Sequence, residues 1–282
     1  MSTPKSSEKY ENNPFYVGLK GLNLLFNKAL GIAILALVLI GINLVSQAVD
    51  TTLRLASGDF YKNEAQINAL NAEDRAEIVQ FFENAETAEI VIIAVIIATF
   101  VFIAILLELL VYGVFEYAAA RLSENKTVGF GEAFLASLRQ LASLLWLVIV
   151  VAVKIFLWSL LLIVPGIIMA VRYSLAGTVF FREGLRGNAA VQRSAELTKG
   201  AWFTTFASQS LWNIITLGII QPLLAPGTNA VLYRQLSTVT DAKEAKPAAH
   251  WLSWLTFFGL VSIAVALLIV LAIVGSIAAI NS

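Results

Sequence analysis

Long apolar runs are the strongest constraint on this chain. They lie at 29–49, 90–117, 141–164, 167–181, 202–220 and 251–280. About 20 apolar residues rising 1.5 Å each cross a hydrocarbon core. Inside hydrocarbon the backbone groups must bond one another, so such runs fold as helices. A shorter run at 228–236 follows Pro222 and Pro226-Gly227, which are expected to break the chain. The expected fold is all-α, a polytopic transmembrane helical bundle of about seven spans, or six if 222–236 does not cross. Composition agrees: the chain is 59% hydrophobic and 13% charged, against about 45–50% and about 25% in soluble domains.

Several chemistries are excluded early. There is no Cys, so no disulfide and no thiolate metal site. The single histidine, His250, cannot by itself make a histidine zinc site. Net charge is zero, which gives no general attraction for nucleic acid. No phosphate loop, dinucleotide fingerprint or H-E-x-x-H pair occurs. No catalytic residue, cofactor or metal site is predicted, and the chain is not expected to be an enzyme.

In chain order, 1–12 reads as a disordered leader. A membrane domain spans 13–236, a linker 237–250, and the last transmembrane helix 251–280. After Asn13-Pro14, the spacing of Phe15, Leu19, Leu22 and Phe26 predicts an amphipathic helix lying on the bilayer. The loop 50–89 is acidic, with nine carboxylates against Arg54, Lys62 and Arg75. Within it, Asn71-Ala72-Glu73-Asp74 starts a short helix with Ile78, Phe81 and Phe82 on its apolar side. Phe134, Leu135 and Leu138 predict a second interfacial helix. Pro165-Gly166 reads as the turn of a membrane hairpin, followed by a basic exit carrying Arg182, Arg186, Arg193 and Lys199. These four are candidates for contact with cytoplasmic headgroups, where each cation contributes about 1 kcal/mol at an anionic leaflet.

Lys and Arg cluster in the leader, in 121–139, in 182–199 and in the linker 237–250. The positive-inside rule then puts the N-terminus in the cytoplasm and the acidic loop outside. The expected location is a cell membrane, the bacterial inner membrane, crossed several times.

The hairpin resembles a known family. Pro165-Gly166-Ile167, Arg172, Glu183-Gly184, Ala190, Arg193-Ser194, Leu197, Lys199-Gly200 and Trp202 look like the membrane domain fused to glycerophosphoryl diester phosphodiesterases. Stand-alone bacterial membrane proteins of unassigned function share that domain. The likeness covers residues 163–202 and is loose elsewhere. It implies the membrane portion alone: one histidine and no long soluble stretch leave no room for the phosphodiesterase barrel.

Four ionisable residues fall in or near spans. Glu108 lies about 27 Å from the outer end of its helix, near the inner interface, and Glu116 lies beyond it. Both are expected to reach headgroups or the basic segment at Arg182–Arg193. Lys154 and Arg172 lie about 15 Å and about 9 Å from the far side of the hairpin, on adjacent antiparallel helices. Either each snorkels outward along its stem, or the two face a polar cavity suited to an anion such as a lipid phosphate. They are the candidate anion or lipid-headgroup residues.

The reading that follows is a non-enzymatic integral membrane protein, a membrane scaffold or lipid-interacting protein. One alternative is a small transporter or flippase-like protein for an anionic or lipid substrate. Another is an accessory subunit of a membrane complex, docked through the acidic loop. The expected partners are membrane lipids, anionic ones among them, and further copies of the chain or other members of such a complex.

Overall fold

The computed structural model describes residues 10–56, 72, 74–77, 79–80 and 87–280. Every regular element among them is a helix. In chain order these are α1 (Pro14–Lys28), α2 (Leu30–Ala56), α3 (Thr87–Ser123), α4 (Phe130–Arg139), α5 (Leu141–Leu161), α6 (Ile163–Tyr173), α7 (Ala176–Glu183), α8 (Gly187–Thr198), α9 (Trp202–Ile215), α10 (Gln221–Asp241) and α11 (Trp251–Ile280). Residues 72–80 also contain helical positions; Ile78, Phe81 and Phe82, the expected apolar side there, lie outside the described residues.

The chain divides into two units. Val38–Leu109 holds the end of α2 and the start of α3, and its described apolar side chains are largely exposed. Met1–Leu37 with Leu110–Ser282 holds the core, centred on residues such as Leu25, Leu122, Leu144, Phe180, Leu197 and Leu232.

Five helical segments are long and apolar enough to cross a membrane: Leu30–Ala56, Thr87–Ser123, Leu141–Leu161, Ile163–Glu183 and Trp251–Ser276. The expected runs at 202–220 and 228–236 are not among them. The helix that begins the first of these two stops at Ile215 after 14 residues. Turns follow, with Leu217 at φ 52° and Gly218 at φ 79°. So the chain breaks there, not at the prolines. Pro222 lies in the first turn of α10, where its missing N–H has no helical partner to lose. Pro226 sits inside that helix, still near its start.

The hairpin bend is also displaced. Leu162 is extended (φ −165°, ψ 149°) and separates α5 from α6, so Pro165-Gly166 belongs to the first turns of α6. Gly166 permits the close approach this demands, since a Cβ there would lie 2.1 Å from Ser159 Oγ. The fourth expected span is broken in its middle, at Ser174-Leu175 between α6 and α7. Ser194 covers the break: its Oγ donates to the Arg172 carbonyl at 2.7 Å and accepts from the Leu175 N–H at 3.2 Å.

Both expected interfacial helices are packed through a different face from the one their large apolar residues mark. In α1 the buried positions are Pro14, Val17, Gly18, Gly21 and Leu25, while Leu19 and Phe26 stay exposed. Gly21 meets Gly227 of α10 backbone to backbone, and Gly18 meets the Trp212 ring of α9. In α4 the buried positions are Ala133 and Ser137, the latter against Gly113 of α3, with Leu135 and Leu138 outward. Small residues let helix backbones approach closely, and that contact outranks the apolar stripe. The last helix, α11, matches the expected span. Its first turns pack on α9 through Phe203, Trp254 and Phe257, with the Phe203 and Trp254 rings 3.9 Å apart.

A Cβ at Gly227 would lie 2.1 Å from the Gly21 carbonyl oxygen, a backbone atom that cannot swing away. Gly227→Ala is expected to destabilise the purified protein by about 1–3 kcal/mol, the range for overpacking a tight contact. Gly41→Ala, whose Cβ meets nothing within 4 Å in a helix interior where alanine is favoured over glycine, is expected not to lower the unfolding temperature in detergent.

Candidate functional site

The most organised polar feature is a hydrogen-bonded chain inside the larger unit. Glu116 of α3 is 5% exposed. Its Oε2 accepts from Thr178 Oγ1 of α7 at 2.6 Å, and its Oε1 accepts from Asn229 Nδ2 of α10 at 3.1 Å. Gln209 of α9 extends the chain, donating to Asn229 Oδ1 at 3.1 Å and to Ser174 Oγ at 3.0 Å. Ser174 in turn donates to the Val171 carbonyl at 2.8 Å, beside the helix break. The group therefore ties α3, α7, α9 and α10 to the end of α6. Gly177 makes room for it: a Cβ there would lie 2.4 Å from Tyr112 Oη and 2.5 Å from Glu116 Cγ. No ion pair reaches Glu116 among the described residues. Both carboxylate oxygens are met by neutral donors only.

Glu116 thus corrects the sequence reading, which sent it past the interface toward headgroups. The helix that carries it runs on to Ser123, and the packing of α7 and α10 encloses this turn. Glu108 is exposed. Thr178, Asn229, Gln209 and Ser174 were not singled out from sequence. The available signal is that each is a polar residue in or beside an apolar run. Which of them meet is set by helix packing.

The basic exit is folded into the body. Helix α8 packs against α5, α6, α7 and α10, and a Cβ on Gly187 would lie 3.0 Å from the Trp146 ring. Arg182 pairs with Glu124 at 2.9 Å. Arg193 pairs with Glu183 at 3.1 Å, Asp241 at 2.6 Å and Glu196 at 3.6 Å. Arg186 donates to Gln140 Oε1 at 2.6 Å and lies 4.2 Å over the Phe180 ring. Lys199 is exposed. Lys246 from the linker donates to the Glu196, Leu197 and Lys199 carbonyls at the end of α8, where orphan carbonyls and the helix dipole favour a cation. Burial, then Arg193 and Lys199, work against that cation and push its pKa down to about 8.

These contacts join all four basic connections. Lys28 of the leader region donates to the Asn125 carbonyl at 2.6 Å, and Asn12 donates to the Ala248 carbonyl in the linker at 3.0 Å. Arg182–Glu124 and Arg193–Asp241 complete the set.

Lys154 and Arg172 are half-buried. The Lys154 ammonium lies 6.0 Å from the centre of the Tyr173 ring, and Arg172 Nε is buried without a hydrogen-bond partner. Among the described residues, no group of three or more His, Cys, Asp or Glu side chains could hold a metal ion. No family model matches the chain, and no curated protein or solved structure matches it.

Two outcomes follow. Thr178→Val and Asn229→Leu each remove a side-chain donor from Glu116, and each is expected to cost about 0.5–2 kcal/mol, the span for buried side-chain hydrogen bonds between apolar helices. Glu116→Gln keeps an acceptor and is expected to cost less than Glu116→Leu in the same unfolding assay.

The Glu124 carboxyl is held below its ordinary range, first by Lys126 and then by Arg182 and Arg121, against burial that works upward. A carboxyl lowered by folding stabilises fully above about pH 4.3, and that contribution is lost as pH falls through the folded value. Glu124→Gln is therefore expected to flatten the loss of stability measured on acid titration below that pH.

Proposed function

We propose that this chain is a non-enzymatic integral membrane protein that interacts with lipid and organises the membrane around it. The observation that carries the reading is the joining of the four basic connections by direct contacts. The exposed cations that these joined connections also carry, such as Arg139 and Lys199, suit an anionic leaflet. Five candidate spans and the outward large side chains of α1 and α4 support the same reading.

The sidedness we propose has the N-terminus in the cytoplasm and the acidic segment outside. It holds for five spans, and equally for seven if α9 and α10 both cross. The likeness of residues 163–202 to the membrane domain of glycerophosphoryl diester phosphodiesterases belongs to this proposal and brings no catalytic role with it.

A second reading, a small flippase-like transporter for an anionic or lipid substrate, is favoured by the break at Ser174-Leu175 within a candidate span. Broken membrane helices commonly form substrate sites in transporters.

The absence of cysteine allows a clean test, because a single introduced thiol reports alone. With an impermeant maleimide on intact cells, Thr51→Cys is expected to be labelled and Asn188→Cys to be labelled only after lysis. The reverse pattern would invert the map. Purified protein is expected to bind vesicles of phosphatidylglycerol more tightly than vesicles of phosphatidylcholine, with the difference shrinking in salt. Equal binding to both would remove the lipid reading.

A further inference from the structure

We propose that Lys154, Arg172 and Tyr173 form a specific site for the phosphate of an anionic lipid headgroup. This rests on the lipid-interacting reading and deepens it.

The site is identified by how the cations of the larger unit are used. Arg121, Lys126, Arg182 and Arg193 are ion-paired to carboxylates. Lys28, Arg186 and Lys246 donate to protein oxygens. The charged groups of Lys154 and Arg172 do neither among the described residues, although both lie in candidate membrane spans. Lys154 is seven residues before the end of α5 and Arg172 nine after the start of α6, so they sit about 10 Å and about 14 Å from the bend. A cation at that depth is costly in hydrocarbon and marks a functional position.

The local chemistry selects phosphate. Arg172 Nε is a buried donor with no acceptor. A guanidinium fork matches two phosphate oxygens, and an ammonium adds a point charge. The Lys154 ammonium lies 6.0 Å from the centre of the ring of Tyr173, the residue that follows Arg172 in the chain. No carboxylate pairs with either cation among the described residues, so an anion bound there does not displace one.

The backbone behind the site is held. Ser194 Oγ and Thr198 Oγ1 both donate to the Arg172 carbonyl, at 2.7 and 3.3 Å, and Trp202 Nε1 donates to the Ile168 carbonyl at 3.1 Å. These bonds fix α6 against α8 and α9 at this level, which lowers the ordering cost of binding.

Native mass spectrometry of the full chain in detergent tests this. Phosphatidylglycerol, phosphatidylcholine and inorganic phosphate are supplied separately and in competition. The wild type is expected to retain one phosphatidylglycerol with at least a tenfold preference over phosphatidylcholine. Lys154→Gln and Arg172→Gln are each expected to reduce that preference severalfold and the double variant to abolish it. Arg172→Lys keeps the charge without the fork and is expected to fall between.

An unchanged preference in a folded double variant would overturn the site while leaving general lipid binding intact. If the double variant does not fold, an unchanged preference in Lys154→Gln alone would overturn it. Displacement of the lipid by millimolar inorganic phosphate would overturn the lipid as ligand. No preference for either lipid in the wild type would overturn the broader reading with it.

Discussion

A single buried carboxylate ties three helices of the larger unit. Glu116 bonds to residues 62 and 113 positions further along the chain. An ionisable group enclosed among apolar helices must have its oxygens met, and only helices arranged in one way can bring Thr178 and Asn229 to it together. Because Gln209 donates both to Asn229 and to Ser174, the same network reaches the end of the helix that precedes the break. Polar satisfaction therefore selects the arrangement that apolar contact alone leaves open.

Close helix contact does the rest through small side chains. Gly21 against Gly227, Gly18 against Trp212 and Gly113 against Ser137 are approaches that any added methyl group would obstruct. In water, large apolar side chains are drawn into a core. Where helix backbones approach closely, small side chains take the contact and large ones are left at its edge. This accounts for Leu19, Phe26, Leu135 and Leu138 facing outward while glycine, alanine and serine face in.

Charge is organised differently in different parts of the chain. The exit arginines are largely engaged by the protein's own carboxylates, and the linker lysine closes the end of α8. Lys154 and Arg172 carry charge without such a partner. The basic exit thus holds cations that join helices, while the two cations without a carboxylate partner lie in the apolar runs before it.

The sequence by itself determined the helical class and the position of the long apolar runs, five segments of which are long and apolar enough to cross a membrane, where a backbone has few ways to satisfy its own polar groups. It located the last helix at 251–280 and the candidate cations Lys154 and Arg172. Only the tertiary structure decided that the hairpin bends at Leu162, that Pro226 lies within a helix, and that α1 packs through its glycines. The burial of Glu116 and its partners belongs there too. Each of these depends on which distant segment lies alongside, and the pattern of residues within one segment carries no record of its neighbour.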